Sequence, residues 1–261
     1  MRKIFNSKTV VTFVFLTFVV STIYVAVRYM LAPSAPVTAD QDVRLKGDYA
    51  LMLLQCGLGM IIMLLPGVLR RKLKIAIPPG MVVAFSIFLY CAIFLGEVQS
   101  FYYRIPHWDT LLHTFSGVSL GAVGLSIIGL LNKSKTVPVS LSPAFVALFA
   151  FCFAVAAGTV WEIYEYTVDA IAGLNMQKYI LESGEALAGQ AALADTMKDI
   201  LVDSLGALII SVIGYGSVKR KEGWLLRMQL NRNRPELVSQ EMSAATAVEN
   251  NPIPGTLPLA L

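Results

Sequence analysis

Six stretches of this chain are each apolar over about the length a helix needs to cross a bilayer, and five of them carry no charge. A hydrocarbon core of about 30 Å takes about 20 helical residues at about 1.5 Å per residue. Residues 10–27, 49–69, 75–96, 114–132 and 136–161 are uncharged, and residues 200–218 hold a single acid, Asp203. A chain patterned this way is expected to fold as an all-α, polytopic membrane bundle. Its spans fall at about 10–31, 49–69, 77–97, 110–132, 143–168 and 199–218, within a transmembrane domain of residues 1–218. Pro78-Pro79 ahead of span three, and Ser142-Pro143 as N-cap and N1 of span five, mark helix starts. Composition agrees: 56% of residues are apolar and 15% are charged, against about 25% charged in soluble domains. That excludes a cytosolic enzyme, a disulfide-stapled secreted module and a disordered regulator.

The basic residues give the threading. With a cytoplasmic N-terminus, 15 of the 21 Lys and Arg residues fall inside, and only Arg28, Arg44, Lys46, Arg104, Lys178 and Lys198 fall outside. Both termini are therefore expected in the cytoplasm of a multi-pass cell-membrane protein, and the net charge of +4 reads as a topology signal with no nucleic-acid partner. Residues 219–261 read as a basic juxtamembrane segment followed by a disordered cytoplasmic tail. Span one, with small residues at Pro36-Val37-Thr38-Ala39 behind it, also suits a cleaved signal. Its run over 10–31 exceeds the usual core of about 7–15 residues, so a retained helix is expected. Cys56, Cys91 and Cys152 lie inside spans without a C-x-x-C and read as small buried hydrophobes.

Polar residues gather in the second half. Asp109 and His113 open span four at i, i+4, on one helical face. Trp161, Glu162, Tyr164, Glu165 and Tyr166 close span five. Asp195, Asp199 and Asp203 form an i, i+4, i+8 stripe into span six. Spans four, five and six meet the same boundary at these points, so the three clusters are expected together at the extracytoplasmic surface. Gly117, Gly121 and Gly124 on span four, and Gly206 and Gly214 on span six, permit close helix approach. A neighbour packed on Gly117 would bring its carboxylates near His113.

Unit charges about 4 Å apart repel by about 4 kcal/mol at an effective dielectric of 20, so acids sharing a pocket must be protonated, paired or bridged. The bases considered are Arg28, Arg44, Arg104 and Lys198. A divalent metal is the economical bridge, with Asp109, His113, Glu162, Glu165, Asp195, Asp199 and Asp203 as candidate ligands. Carboxylates with one histidine and no cysteine favour Mg, Mn, Ca, Fe or Zn. No organic cofactor is indicated. Bland readings stand beside this one: an interhelical histidine for His113, headgroup-level charges for Glu162 and Glu165, a helix cap for Asp195, a solvated loop for His107. Asp203, one turn below the boundary, has no such reading.

These motifs resemble the YjdF-like inner-membrane family over residues 109–207. Asp109, His113 and Gly117 are similar to its aspartate–histidine–glycine motif, Trp161, Glu162 and Glu165 to its tryptophan–glutamate motif, and Asp195-Thr196, Asp199 and Gly206-Ala207 to its D-T-x-x-D and Gly-Ala. Leu112 stands where a glycine is expected, and Asp203 where a small residue is. The resemblance implies about six membrane helices and supplies no substrate; VanZ-like membrane proteins show a looser similarity. Three functions fit: a metal-dependent enzyme acting on a lipid or lipid-linked headgroup, with His113, Glu165 and Asp199 as catalytic candidates; a structural or resistance-type protein whose polar cluster locks helices; and an ion-coupled transporter. Membrane lipids are the expected partners; the sequence indicates neither a protein partner nor an oligomeric state.

Overall fold

A computed structural model describes residues 7–34, 44–75, 77–132, 141–181 and 183–220. Six of its helices are long and apolar enough to cross a membrane. They are α1 (Ser7–Leu31), α2 (Lys46–Lys72), α3 (Pro79–Leu89) continued by a π-helical segment (Tyr90–Val98), α5 (Trp108–Asn132), α6 (Pro143–Ala172) and α7 (Gln190–Arg220), with a single turn α4 (Phe101–Arg104) after the third span. No strand occurs among the described residues; one antiparallel bridge, Ile180 to Ala186, pinches the loop between α6 and α7. In lipid, every backbone polar group must be satisfied within its own segment, so helices are what this apolar pattern can form.

The expected starts hold. Pro79 is the first residue of α3, and the Ser142 hydroxyl accepts the Phe145 N–H at 3.3 Å above Pro143. Helix α6 stops where Gly173 turns left-handed (φ +63°), a conformation that costs glycine little. Most helices outrun the expected spans. The largest difference is α7, which begins at Gln190 and places Asp195 inside the helix, so the capping reading of Asp195 is corrected. The third span also differs from a uniform helix: its last nine residues wind as a π-helix, a wider turn that concentrates at functional sites. The cysteines divide: Cys56 is buried, Cys91 half-buried and Cys152 exposed. The segment around 36–39, Lys133, Lys135 and the tail beyond Arg220 lie outside the described residues.

The helices form two triplets. Helices α1, α2 and α3 with its π segment close around Phe18, Val25, Tyr49, Cys56, Leu89 and Ile93. Helices α5, α6 and α7 each pack on the other two, with Leu125, Ile128, Val146 and Ala150 at the far end of their core. Aliphatic side chains such as Ile61, Leu148, Ile163, Leu201 and Val212 face outward, as a lipid-facing band should. The triplets meet where the π segment touches α5, and where Leu174 and Met176 of the α6–α7 loop pack on Leu51 of α2.

Glycine sets the approach of α5 to α7. A side chain at Gly117 would run into the Asp203 backbone, and one at Gly206 would meet the Thr114 carbonyl. Gly121 lies against Ala207 and Ile210, and Gly124 against Ala150 of α6. Backbones this close bring a residue one turn above Gly117 against whatever α7 carries at 203.

Candidate functional site

That residue is His113. Its Nδ1 lies 3.2 Å from Asp203 Oδ2 and 3.9 Å from Glu162 Oε1, and its Nε2 lies 3.6 Å from Asp109 Oδ1. Gly158 of α6 makes room beneath: a Cβ there would stand 2.8 Å from Asp203 Oδ2. Three helices thus deliver four polar side chains to one end of the bundle, with Asp109 at the helix start and His113, Glu162 and Asp203 recessed by one to several turns.

Asp109, His113 and Asp199 each offer a ligand atom, and the three atoms lie within 4.8 Å of one another. Ligands across a cation are separated by at most twice the bond length, about 4.0–5.2 Å for bonds of about 2.0–2.6 Å. The spacing therefore suits ligation. Burial sharpens the case. Glu162, Asp199 and Asp203 are no more than 4% exposed, and Glu162 Oε1, Asp199 Oδ1 and Asp203 Oδ1 have no hydrogen-bond donor among the described residues. Buried carboxylate oxygens without donors are costly unless something else neutralises them.

The structure brings the other candidates to the same end in looser positions. Glu165 Oε1 accepts the Trp161 indole N–H at 2.8 Å, and Glu165 and Asp195 both line a cavity of about 350 Å³ beside Asp109, His113 and Asp199. His107 stays exposed in its turn with φ +61°.

Sequence reasoning missed one pair. Glu97, taken only as the end of span three, is 6% exposed and bonds the Lys178 ammonium at 2.7 Å. That ammonium also lies 5.1 Å and 5.7 Å from the ring centres of Tyr102 and Tyr103. Burial opposes its charge most strongly, but Glu97, Tyr103 and Glu165 together outweigh burial and hold the Lys178 pKa above its ordinary 10.5. Burial, then Asp109 and Glu97, hold the Tyr102 phenol well above its ordinary 10.0, so it stays neutral. None of the bases considered from sequence forms an ion pair with the acids among the described residues: Arg28 donates to the Tyr49 hydroxyl, Arg44 to the Val98 carbonyl and the Ser100 hydroxyl, and Arg104 and Lys198 are exposed, with Lys198 acting on Asp195 only through its field. The available clue was that Lys178 is the single base in residues 173–189, between two acid-bearing helices.

The loop carrying Lys178 is tied down. The Asp169 carboxylate accepts the N–H groups of Met176 at 2.7 Å and Gln177 at 2.9 Å, and Asn175 donates to the Tyr103 hydroxyl and the Ile180 carbonyl. Replacing Asp169 by alanine orphans two amides, each worth about 1–3 kcal/mol when buried. Hydrogen exchange at Met176 and Gln177 is expected to quicken markedly while the α5 amides stay protected.

The family described as "Predicted membrane protein (DUF2238)" matches residues 10–220. The chain belongs to that family. This is the family the sequence motifs pointed to as YjdF-like, and it makes the chain a multi-pass membrane protein. An uncharacterised protein of Thermotoga maritima is 31% identical over 133 residues, which cover 50% of this chain and 58% of that relative. The chain thus spans less than two thirds of that relative's length. Neither match bears on the VanZ-like similarity. No solved structure matches the chain. Neither match carries an activity with it.

Proposed function

We propose that this DUF2238 protein is a membrane enzyme with a divalent-metal centre at the extracytoplasmic end of α5, α6 and α7, acting on a lipid or lipid-linked headgroup. The observation that carries it is the arrangement about His113. With Nδ1–H donating to Asp203, the Nε2 lone pair is left toward Asp109, and Asp199 completes a three-ligand set. A carboxylate that orients a histidine from its far nitrogen is the usual support of a histidine ligand. Asp203 is therefore a positioning residue in this reading, and Glu162 supports it from α6. Asp109, His113 and Asp199 would hold the cation. A bound cation supplies Lewis acidity toward a phosphate and lowers the pKa of a coordinated water. Glu165, on the cavity wall and aligned by Trp161, is placed to take up a proton. The excess of basic residues in the loops assigned to the cytoplasm supports the side. Mg, Mn, Ca, Fe and Zn all suit the donor set.

Elemental analysis of detergent-purified protein should find about one divalent ion per chain. The variants His113→Ala and Asp199→Asn should each lose it. Adding metal at about 100 times its Kd should stabilise wild type by about 2.7 kcal/mol and leave both variants unmoved. A fully folded, metal-free protein whose melting no divalent ion shifts would overturn the reading. A second reading, a polar lock between helices, is favoured by the contacts that His113 makes to α6 and α7. It requires Asp203→Asn to lower thermal stability equally with and without metal.

A further inference from the structure

The cavity beside the candidate centre changes character along its length. At one end its wall is Asp109, His113, Asp199, Glu97 and Lys178; farther along α5, α2 and α3 it is Leu58, Ile62, Phe88, Leu120 and Val123. From Asp109 to Val123 is 14 residues of one helix, about 21 Å at about 1.5 Å each. An elongated cavity that is charged at one end and apolar for the rest matches the polarity of an amphiphile. A small polar metabolite would leave the apolar part unfilled, and a wholly apolar ligand would strand the charged end.

The cavity also reaches the bilayer. Phe85 and Phe115 line it yet are 37% and 39% exposed, on spans where exposure means lipid. Phe88 stacks between them, with ring centres 6.4 Å from Phe85 and 5.6 Å from Phe115. These three rings line the seam between α3 and α5, and no hydrogen bond crosses it among the described residues. Rotation of stacked rings is a small barrier compared with parting packed backbones.

We propose that this cavity holds one hydrocarbon chain of a phosphate-headed membrane lipid, which enters sideways from the bilayer between α3 and α5. The placing of the lipid head at Asp109, His113 and Asp199 rests on the metal reading, since an anionic head is admitted among acids only with a cation present. The chain site stands without it. Lys178 is the cationic side chain of the described cavity wall and lies at the same end.

The test is photocrosslinking in proteoliposomes, with phosphatidylglycerol carrying a diazirine midway along one acyl chain, and adducts mapped by mass spectrometry. Interior adducts are expected on Leu58, Ile62, Leu120 or Val123, besides bulk-lipid adducts on the outward-facing Leu148 and Ile163. Filling the cavity by Ser119→Trp, or independently by Ala92→Phe, should cut the interior adducts about tenfold and leave Leu148 and Ile163 unchanged. Adducts confined to outward residues in wild type, or interior adducts that neither substitution reduces, would overturn the chain site. Asp199→Asn separates the two readings: loss of metal with interior adducts retained supports both. A metal-free wild type that still shows interior adducts fails the metal reading alone.

Discussion

Valine at Gly117 is expected to destabilise the second triplet by about 2–3 kcal/mol, and alanine by somewhat less. Overpacking a close contact costs about 1–3 kcal/mol where a neighbour can give way. Here the neighbour is the Asp203 backbone, inside a regular helix, so α5 and α7 must separate. Against this, glycine is about 1 kcal/mol worse than alanine within a helix, which offsets part of the alanine penalty and less of the valine penalty. Separation also lengthens the 3.2 Å contact of His113 with Asp203, so metal-dependent stabilisation should fall with thermal stability. Gly67→Ala on α2 is the control, because a side chain there meets nothing within 4 Å; it should be neutral or slightly stabilising. Thermal unfolding of all three in one detergent decides the matter. Equal melting of Gly117→Ala and Gly67→Ala would show that the α7 backbone does not press on Gly117.

The same crossing explains why much of the site was legible in the sequence. An i, i+4 spacing on a long apolar helix fixes Asp109 and His113 to one face, and small residues one turn below announce where another backbone approaches. Membrane threading then puts the start of span four, the end of span five and the start of span six at one surface. Local periodicity and bilayer geometry suffice for those steps. They do not suffice for Glu97 and Lys178, 81 residues apart, since nothing periodic relates a span's end to a loop. The loop's path depends on Asp169 capturing Met176 and Gln177, and on Lys178 adopting φ +55°. The π winding that carries Glu97 has no compositional mark either: Tyr90–Val98 reads like the rest of an apolar helix. Division of the six acids and one histidine into a tight trio and supporting residues likewise needed side-chain directions that spacing alone does not supply.

Removing the Lys178 charge with Lys178→Met is expected to cost about 3 kcal/mol, the low end of the roughly 3–5 kcal/mol for breaking a buried ion pair. The low end applies because the lysine side chain keeps 14% of its exposure, while Glu97 keeps 6%. Most of the loss comes from a carboxylate left in a desolvated place, not from the attraction itself. The double variant Glu97→Gln/Lys178→Met should therefore recover most of it, whereas independent sites would simply add. The pH dependence follows from the raised Lys178 pKa. A base whose folded pKa exceeds its unfolded value contributes stability that is complete below about pH 10.4 and fades as pH rises through the folded value. The increment that wild type owes to Lys178 should be lost only in strong alkali, and Lys178→Met should lack that alkaline step in its melting temperature. Because Glu97 and Lys178 join the π segment to the α6–α7 loop over the polar end of the cavity, the single variant should also expose that loop to protease first. If the double variant is no more stable than the single, the two charges are solvated separately and the loop is held by Asp169 and Asn175 alone.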